Sequence, residues 1–315
     1  MGLRPETIAA DSPPETTKVR LIRSPDICLA PLYMAEELLR GEGFTDVQYV
    51  QGTGGQDDIK LAATGATDFI GGFVGRHLAG LDAGDPIVIL SGLHVGCFEL
   101  FGNQGVRSIR DLKGKQVAVT RLTSGRHIFL SVMAAHVGLD PRKDINWVTD
   151  PATKSMQLFA EEKIDAFMAF PLEPQELRAK KIGHVVVNTM MDRPWSQYFC
   201  CMVVANREFV RKHPVATKRA LRAILKANSV CALEPERSAR LLIEKWYTTL
   251  NYDHALQMIK EMHYDKWREY DPEDTVRFYS LRMNEIGMIK SSPQKMIAQG
   301  TDWRFLRELK KELKG

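Results

Sequence analysis

Along the first two hundred residues, apolar positions switch repeatedly between a period of two and a period near 3.6, the signature of strands alternating with helices. Val19-Arg-Leu-Ile-Arg23 alternates as a strand and runs into a polar turn carrying Ser24 and Asp26. Leu32, Ala35, Leu38 and Leu39 then share one helical face, ended by Gly41 and Gly43. The same order returns 98 residues later. Val117-Ala-Val-Thr-Arg121 matches the first strand, Thr123 and Ser124 the turn, and Phe129, Val132, Met133 and Val137 the helical face, ended by Gly138. Val47-Gln-Tyr-Val50 pairs with Ile145-Asn-Trp-Val148 at the same offset, each followed by a helix-like segment. Thr67 to Phe73 echoes Ile164 to Phe170 at an offset of 97, which sets Asp68 opposite Asp165.

Alternating strands and helices predict a mainly parallel α/β sheet with helices on both faces, and the duplication predicts two doubly wound lobes. In open sheets of this kind ligands collect beyond the carboxyl ends of the strands, so the two polar turns are expected to wall one cleft. After Val204 the pattern becomes helical: 214–234, 235–247, 253–262, 272–286 and 302–313 read as amphipathic helices. Pro214, Pro235 and Pro272 stand at helix starts, and Gly287 and Gly300 at ends. A helical tail without its own sheet is expected to pack on the first lobe. The predicted division is 18–102 with 205–315 as lobe 1, 103–204 as lobe 2, and 1–17 as a flexible leading tail.

The length of 315 residues accommodates two such lobes, and 44% hydrophobic with 26% charged residues excludes disorder. A net charge of +4 without a dense basic tract gives no reason to expect nucleic acid, and leaves a preference for anions open. No apolar run approaches the roughly 20 residues of a membrane helix. Residues 1–17 show no signal-peptide pattern, so either the chain is cytoplasmic or an export signal has been removed; the polar leader reads as the start of a mature exported protein. Five cysteines, an odd number with Cys200 and Cys201 adjacent, imply no disulfide framework. Without C-x-x-C or H-E-x-x-H spacing, no metal and no cofactor are expected, and the cysteines read as small buried apolar residues.

The element order, the Gly-Thr-Gly-Gly turn at 52–55, Ser-Ile-Arg-Asp-Leu-Lys-Gly-Lys-Gln-Val-Ala-Val at 108–119 and Lys163-Ile-Asp-Ala-Phe167 carry a family likeness. The chain resembles the nitrate, sulfonate and taurine type of ABC-transporter solute-binding proteins, a superfamily shared with thiamine-pyrimidine-synthase-like proteins. The resemblance implies a periplasmic binding protein fold of the second topological class, hinged by two connections. It further implies a monomer in the periplasm that captures a small anionic or aromatic organic ligand and delivers it to an ABC permease in the inner membrane. The superfamily also holds enzymes that place pyridoxal phosphate on a lysine and use a cysteine-rich segment. Phe199-Cys200-Cys201 is similar to part of that segment, and Lys60 lies in the matching region, but the full cluster is absent and no histidine follows Lys60 within a turn. No Ser-His-Asp pattern, paired carboxylates or Gly-x-Ser-x-Gly stands in the chain, so binding without turnover is expected, with an enzyme on the same fold as the alternative.

The candidate ligand-binding residues follow from strand ends. Asp26, Ile27 and Cys28 follow the first strand, Gly54 and Gln56 the second, Phe73 the third, and His94 the apolar run 86–93. From the second lobe come Arg121, Ser124, Arg126, His127, Phe170, Glu173, Trp195 and Tyr198. The turn 120–127 is expected to act as a polar clamp, with the Ser124 hydroxyl, first-turn amides and either arginine meeting an anion. Two readings stay open for several of these residues: Ser124 as a helix cap alone, the aromatics as core, and the histidines as hydrogen-bonded structure.

Overall fold

The computed structural model describes residues 12–24, 26–52 and 56–313, with the side chain of Gln56 left out. Ten strands are described: β1 Lys18–Arg23, β2 Asp46–Gln51, β3 Phe69–Phe73, β4 Ile87–Val95, β5 Glu99–Gly102, β6 Gln116–Val119, β7 Asn146–Thr149, β8 Ala166–Ala169, β9 His184–Asn188 and β10 Phe199–Asn206. They form two five-stranded sheets, β2-β1-β3-β10-β4 and β7-β6-β8-β5-β9. In each, the first three strands are parallel, as helical crossovers require. The fourth position is filled by an antiparallel strand, β10 in the first sheet and β5 in the second.

Those two antiparallel strands correct the expected lobe boundaries. Residues 99–102, assigned from sequence to lobe 1, build the second sheet, and 199–204, assigned to lobe 2, build the first. Both strands are buried along their whole length, so neither shows the alternation that ties a strand to a face. Neither belongs to the β-α repeat that marked the other strands. The chain therefore changes sheets between β4 and β5 and again between β9 and β10.

The duplication is present with one adjustment. Val19 pairs with Val47 and Val117 with Trp147, which sets the second strands 100 residues apart rather than 98. The connection 137–145 after the second-lobe helix Gly125–His136 is longer than its counterpart 42–45 after Ala30–Gly41, and it absorbs the difference. Asp68 and Asp165 occupy matching places. The Asp68 carboxylate accepts the Arg20 amide at 2.7 Å, and that of Asp165 accepts the Gln116 amide at 2.9 Å.

The tail is helical, as Pro214–Leu233, Pro235–Glu244, Tyr252–Glu261, Pro272–Glu285, Pro293–Gly300 and Arg304–Glu312. Its first helix packs on the first lobe, where Asn228 Nδ2 donates to the Leu93 carbonyl at 2.8 Å and Arg222 pairs with Glu42 at 2.7 Å. Helix Pro272–Glu285 also reaches the second lobe, with Tyr279 5.6 Å from Phe129. Residues 12–17 are tied down rather than loose. The Glu15 carboxylate accepts the amides of Val215 and Ala216, each at 2.9 Å, at a helix start whose free amides favour an anion. The rest of the predicted leading tail, 1–11, lies outside the described residues. Among the described residues no helix is long and apolar enough to cross a membrane.

Glu42 ties the helix Ala30–Gly41 to the tail, and its side chain and that of Arg222 are 10% and 13% exposed. Glu42→Ala takes the closer of two carboxylates from a nearly buried guanidinium, leaving it Glu312 at 3.1 Å, and is expected to cost about 2 kcal/mol of unfolding free energy in urea titration. Lys226→Ala, which removes the 44%-exposed partner of the same carboxylate, should cost less than about 1 kcal/mol. Equal losses would show that the buried pair carries no special weight.

Candidate functional site

Strand ends place the site. β1 runs into a single turn Ile27–Leu29 before helix Ala30–Gly41, and Ser24 is clamped there by Tyr33, whose oxygen accepts the Ser24 amide at 2.8 Å while its hydroxyl donates to the Ser24 carbonyl at 2.5 Å. That turn presents Asp26 and Cys28. β3 ends at Phe73, which leads directly into helix Val74–Asp82 with Arg76 in its first turn. Across the gap β6 ends in the polar turn 120–124, and Ser124 caps helix Gly125–His136 by accepting the His127 amide at 3.2 Å. The two walls enclose a cavity of about 290 Å³, lined on one side by Asp26, Cys28, Phe73 and Arg76 and on the other by Thr120, Arg121, Ser124, Gly125, Arg126 and Phe170. The crossing between β4 and β5 supplies Cys97 and Phe98, and β10 supplies Cys201.

The walls differ in charge state. Burial pushes the Asp26 carboxyl up to about 7, with Cys28 and Asp58 adding to the rise and Arg76 opposing it. Arg126 is already engaged, since its guanidinium meets both oxygens of Glu173, one at 2.7 Å, and donates to the Met168 carbonyl at 2.8 Å. Glu173 in turn accepts the Phe170 amide at 2.8 Å, so this pair holds the Phe170 loop in place. Arg121 is exposed and forms no ion pair with a described residue. The apolar part of the wall is aromatic: Phe98 lies 5.8 Å from Phe73, edge to face, and 5.3 Å from Phe170.

At the inner end of the cavity, the sulfur atoms of Cys28, Cys97 and Cys201 and a ring nitrogen of His94 all lie within 4.8 Å of one another, and all four residues are buried. Cys97 Sγ also lies 2.9 Å from Cys200 Sγ. Cys97 owes its place to Gly96, which sits at φ +68° in the crossing between β4 and β5. A Cβ on Gly96 would lie 2.1 Å from Met190 Cγ.

Seven of the sequence candidates converge on the cavity: Asp26, Cys28, Phe73, Arg121, Ser124, Arg126 and Phe170. His94 and Glu173 stand behind it and act on lining residues. Ile27 is buried in the core rather than lining the cavity. His127 turns its ring edge onto Trp147 at 4.7 Å, Trp195 is buried between Phe129 and His136, and Tyr198 stacks on Phe278 at 4.1 Å. These aromatic faces found ring partners on neighbouring elements, Trp147 on β7 and Phe278 on helix Pro272–Glu285 among them, and that helix belongs to a tail whose docking site sequence spacing does not specify. Gly54 and the side chain of Gln56 lie outside the described residues. Arg76, Cys97, Phe98 and Cys201 were missed, although Arg76 and Cys97 each follow a flagged residue, Phe73 and His94, by three positions. Lys60 pairs with Asp85 at 2.5 Å, is 56% exposed and borders a separate groove, so it is not placed to serve the cavity. A wider hollow of about 510 Å³ lies by Pro86 at the amino end of β4; its arginine, Arg207, already donates to the carbonyls of Ile87 and Gln299.

Burial holds the His127 imidazole down at about 4, with a hydrogen bond to the Leu122 backbone opposing. Its unfolded value of about 6.5 is higher, so the unfolded chain binds the extra proton first and stability falls as pH drops from about 6.5 toward 4. His127→Phe is expected to flatten that part of the stability–pH profile by on the order of 1–2 kcal/mol, discounted for partial exposure. Chemical denaturation across the range checks it, and an unchanged slope would count against the assignment.

Three comparisons bear on this geometry. Residues 28–238 match the family described as NMT1/THI5 like. The chain is 29% identical over 189 residues to a Brucella abortus (strain 2308) protein named "Putative binding protein", a match that covers 59% of this chain and 57% of that one. The chain thus spans a little over half the length of the curated relatives it matches. The fold is that of the periplasmic sulfonate-binding protein SsuA from Methylobacillus flagellatus KT, at TM-score 0.72 and 18% identity over 94% of both chains. It is equally that of the periplasmic nitrate-binding protein NrtA from Synechocystis PCC 6803, at TM-score 0.75 and 15% identity over 96% of this chain and 90% of that one. With two-thirds of its length in the matched region, and with the cavity formed where both sheets end, the chain belongs to the NMT1/THI5-like family.

Proposed function

We propose that the protein is the solute-binding component of an ABC uptake system, working as a monomer in the periplasm and handing a small anionic or aromatic acid to a membrane permease. The observation that carries this reading is the cavity itself. It lies between two lobes joined by two crossings, combines one aromatic wall with hydroxyl, guanidinium and first-turn amide groups, and has the volume of about ten water molecules at roughly 30 Å³ each. That size suits a compact solute. The family and fold relatives support transport, and the position of Lys60 outside the cavity weighs against a Schiff-base enzyme.

In this reading Arg121 and Ser124 form the anion clamp, and Arg126 serves through Glu173 by fixing Phe170. A thermal-shift panel of inorganic anions, alkanesulfonates, aromatic carboxylates and pyrimidines should single out one class by mass action on the native state. Calorimetry with the best ligand should then show Arg121→Ala weakening binding about tenfold or more, the worth of a charge-assisted hydrogen bond, with the ligand recovered chemically unchanged. Chemical conversion of the ligand, or full affinity in both Arg121→Ala and Ser124→Ala, would sink the proposal.

A further inference from the structure

The sulfur–imidazole cluster at the inner end of the cleft has the donor set, spacing and support of a metal centre. Four residues from four separate segments converge there: Cys28 from the turn after β1, His94 from β4, Cys97 from the crossing, and Cys201 from β10. Their relative exposures are 1%, 0%, 2% and 4%. A tetrahedral zinc ion, with bonds of about 2.3 Å to sulfur and about 2.0–2.1 Å to nitrogen, spaces its ligand atoms about 3.5–3.8 Å apart. Ligand atoms already within 4.8 Å of one another need move only slightly to meet that geometry.

The surroundings supply what such a site needs. Cys201 and His94 are direct partners across the β10–β4 ladder of the first sheet, between two register shifts, so two donors stand on paired strands and face the same side. His94 Nδ1 faces the Val95 carbonyl at 3.5 Å, while Nε2 is buried without any hydrogen bond. A backbone acceptor on one imidazole nitrogen is the arrangement that turns the other toward a metal. The Cys28 turn is held by the Tyr264 hydroxyl, which donates to the Cys28 carbonyl at 3.2 Å. Cys28, Cys97 and Cys201 also line the interlobe cavity, which gives an ion its way in.

We propose that Cys28, His94, Cys97 and Cys201 form a buried Cys₃His site for a soft cation that favours tetrahedral coordination, with Zn²⁺ as the ion. Three sulfurs and one imidazole disfavour hard, oxygen-seeking cations such as Mg²⁺ and Ca²⁺. The site stands independently of which solute enters the cleft, and its test uses metal alone.

Chelator-treated protein, reduced and kept anaerobic, should take up one equivalent of Co²⁺. The complex should show strong sulfur-to-cobalt charge transfer and the intense visible bands of tetrahedral cobalt, and both should vanish when Zn²⁺ displaces it. Competition with a chromophoric chelator should show Zn²⁺ affinity falling at least about tenfold in His94→Ala and in Cys201→Ser, since even outer-sphere changes at metal sites cost about 10–100-fold. Cys231→Ser, which alters a buried cysteine outside the cluster, should bind as the unaltered protein does. Circular dichroism and melting of each metal-free variant separate loss of the site from loss of the fold. Absence of Co²⁺ uptake by the unaltered protein with all thiols titrating as reduced, a weak octahedral spectrum, or undiminished affinity in both folded variants would overturn the assignment.

Discussion

The first sheet in this protein is complete only because the chain returns to it: β1 to β4 precede, and β10 follows, the continuous run β5 to β9 that builds the second sheet. β10 bonds to β3 on one side and β4 on the other, and β5 does the same between β8 and β9. An unpaired edge in the middle of a sheet would leave a row of buried amides and carbonyls without partners, at a cost of about 1–3 kcal/mol each. The first lobe can therefore not reach its final hydrogen bonding until the chain has built the second, and the chain crosses between the sheets twice, before β5 and after β9. That single constraint sets Cys97 and Phe98 on one crossing beside Cys201 at the start of β10. It also makes the crossings the natural hinge.

The parts of this arrangement that repeat were legible in the sequence, and the parts that cross over were not. Val19 to Arg23 and Val117 to Arg121 announce themselves because alternation and the following helix recur. Glu99–Gly102 and Phe199–Asn206 carry no such signal, since a strand buried on both faces has no period to read. The same limit governs the site. Asp26, Phe73, Ser124 and Phe170 lie where a strand passes into a turn or helix, a location that pattern alone identifies. Trp195 and Tyr198 fall in an irregular segment between β9 and β10, and there the apolar surface offered by Phe278 on the tail decided their direction.

Ser124 and Arg126 show how one turn both caps a helix and walls the cavity. The Ser124 oxygen caps its helix and borders the cavity, so the cap that organises the helix start also places it at the cavity wall. Arg126 reads in sequence as a second anion contact, yet Glu173 meets it with both oxygens. A guanidinium neutralised in this way positions more than it attracts. The net positive potential of the outer wall then falls to Arg121, while the inner wall carries an Asp26 whose burial favours its neutral form up to about pH 7.

The inner end of the cleft brings these points together. None of the five cysteines is paired in a disulfide, and three of them border a cavity open to solvent. In an oxidising compartment neighbouring thiols are vulnerable, and ligation to a metal is one state in which they persist. Three thiolates around a divalent ion leave a net charge of about −1 beneath the aromatic wall. With the proposed ion in place, that charge would repel an anionic head group from the floor and add to the pull of Arg121 at the opposite side. On the proposed reading a small acid entering the cleft is thereby oriented along its length, with its charged end on the Arg121–Ser124 turn and its apolar end against Phe73, Phe98 and Phe170.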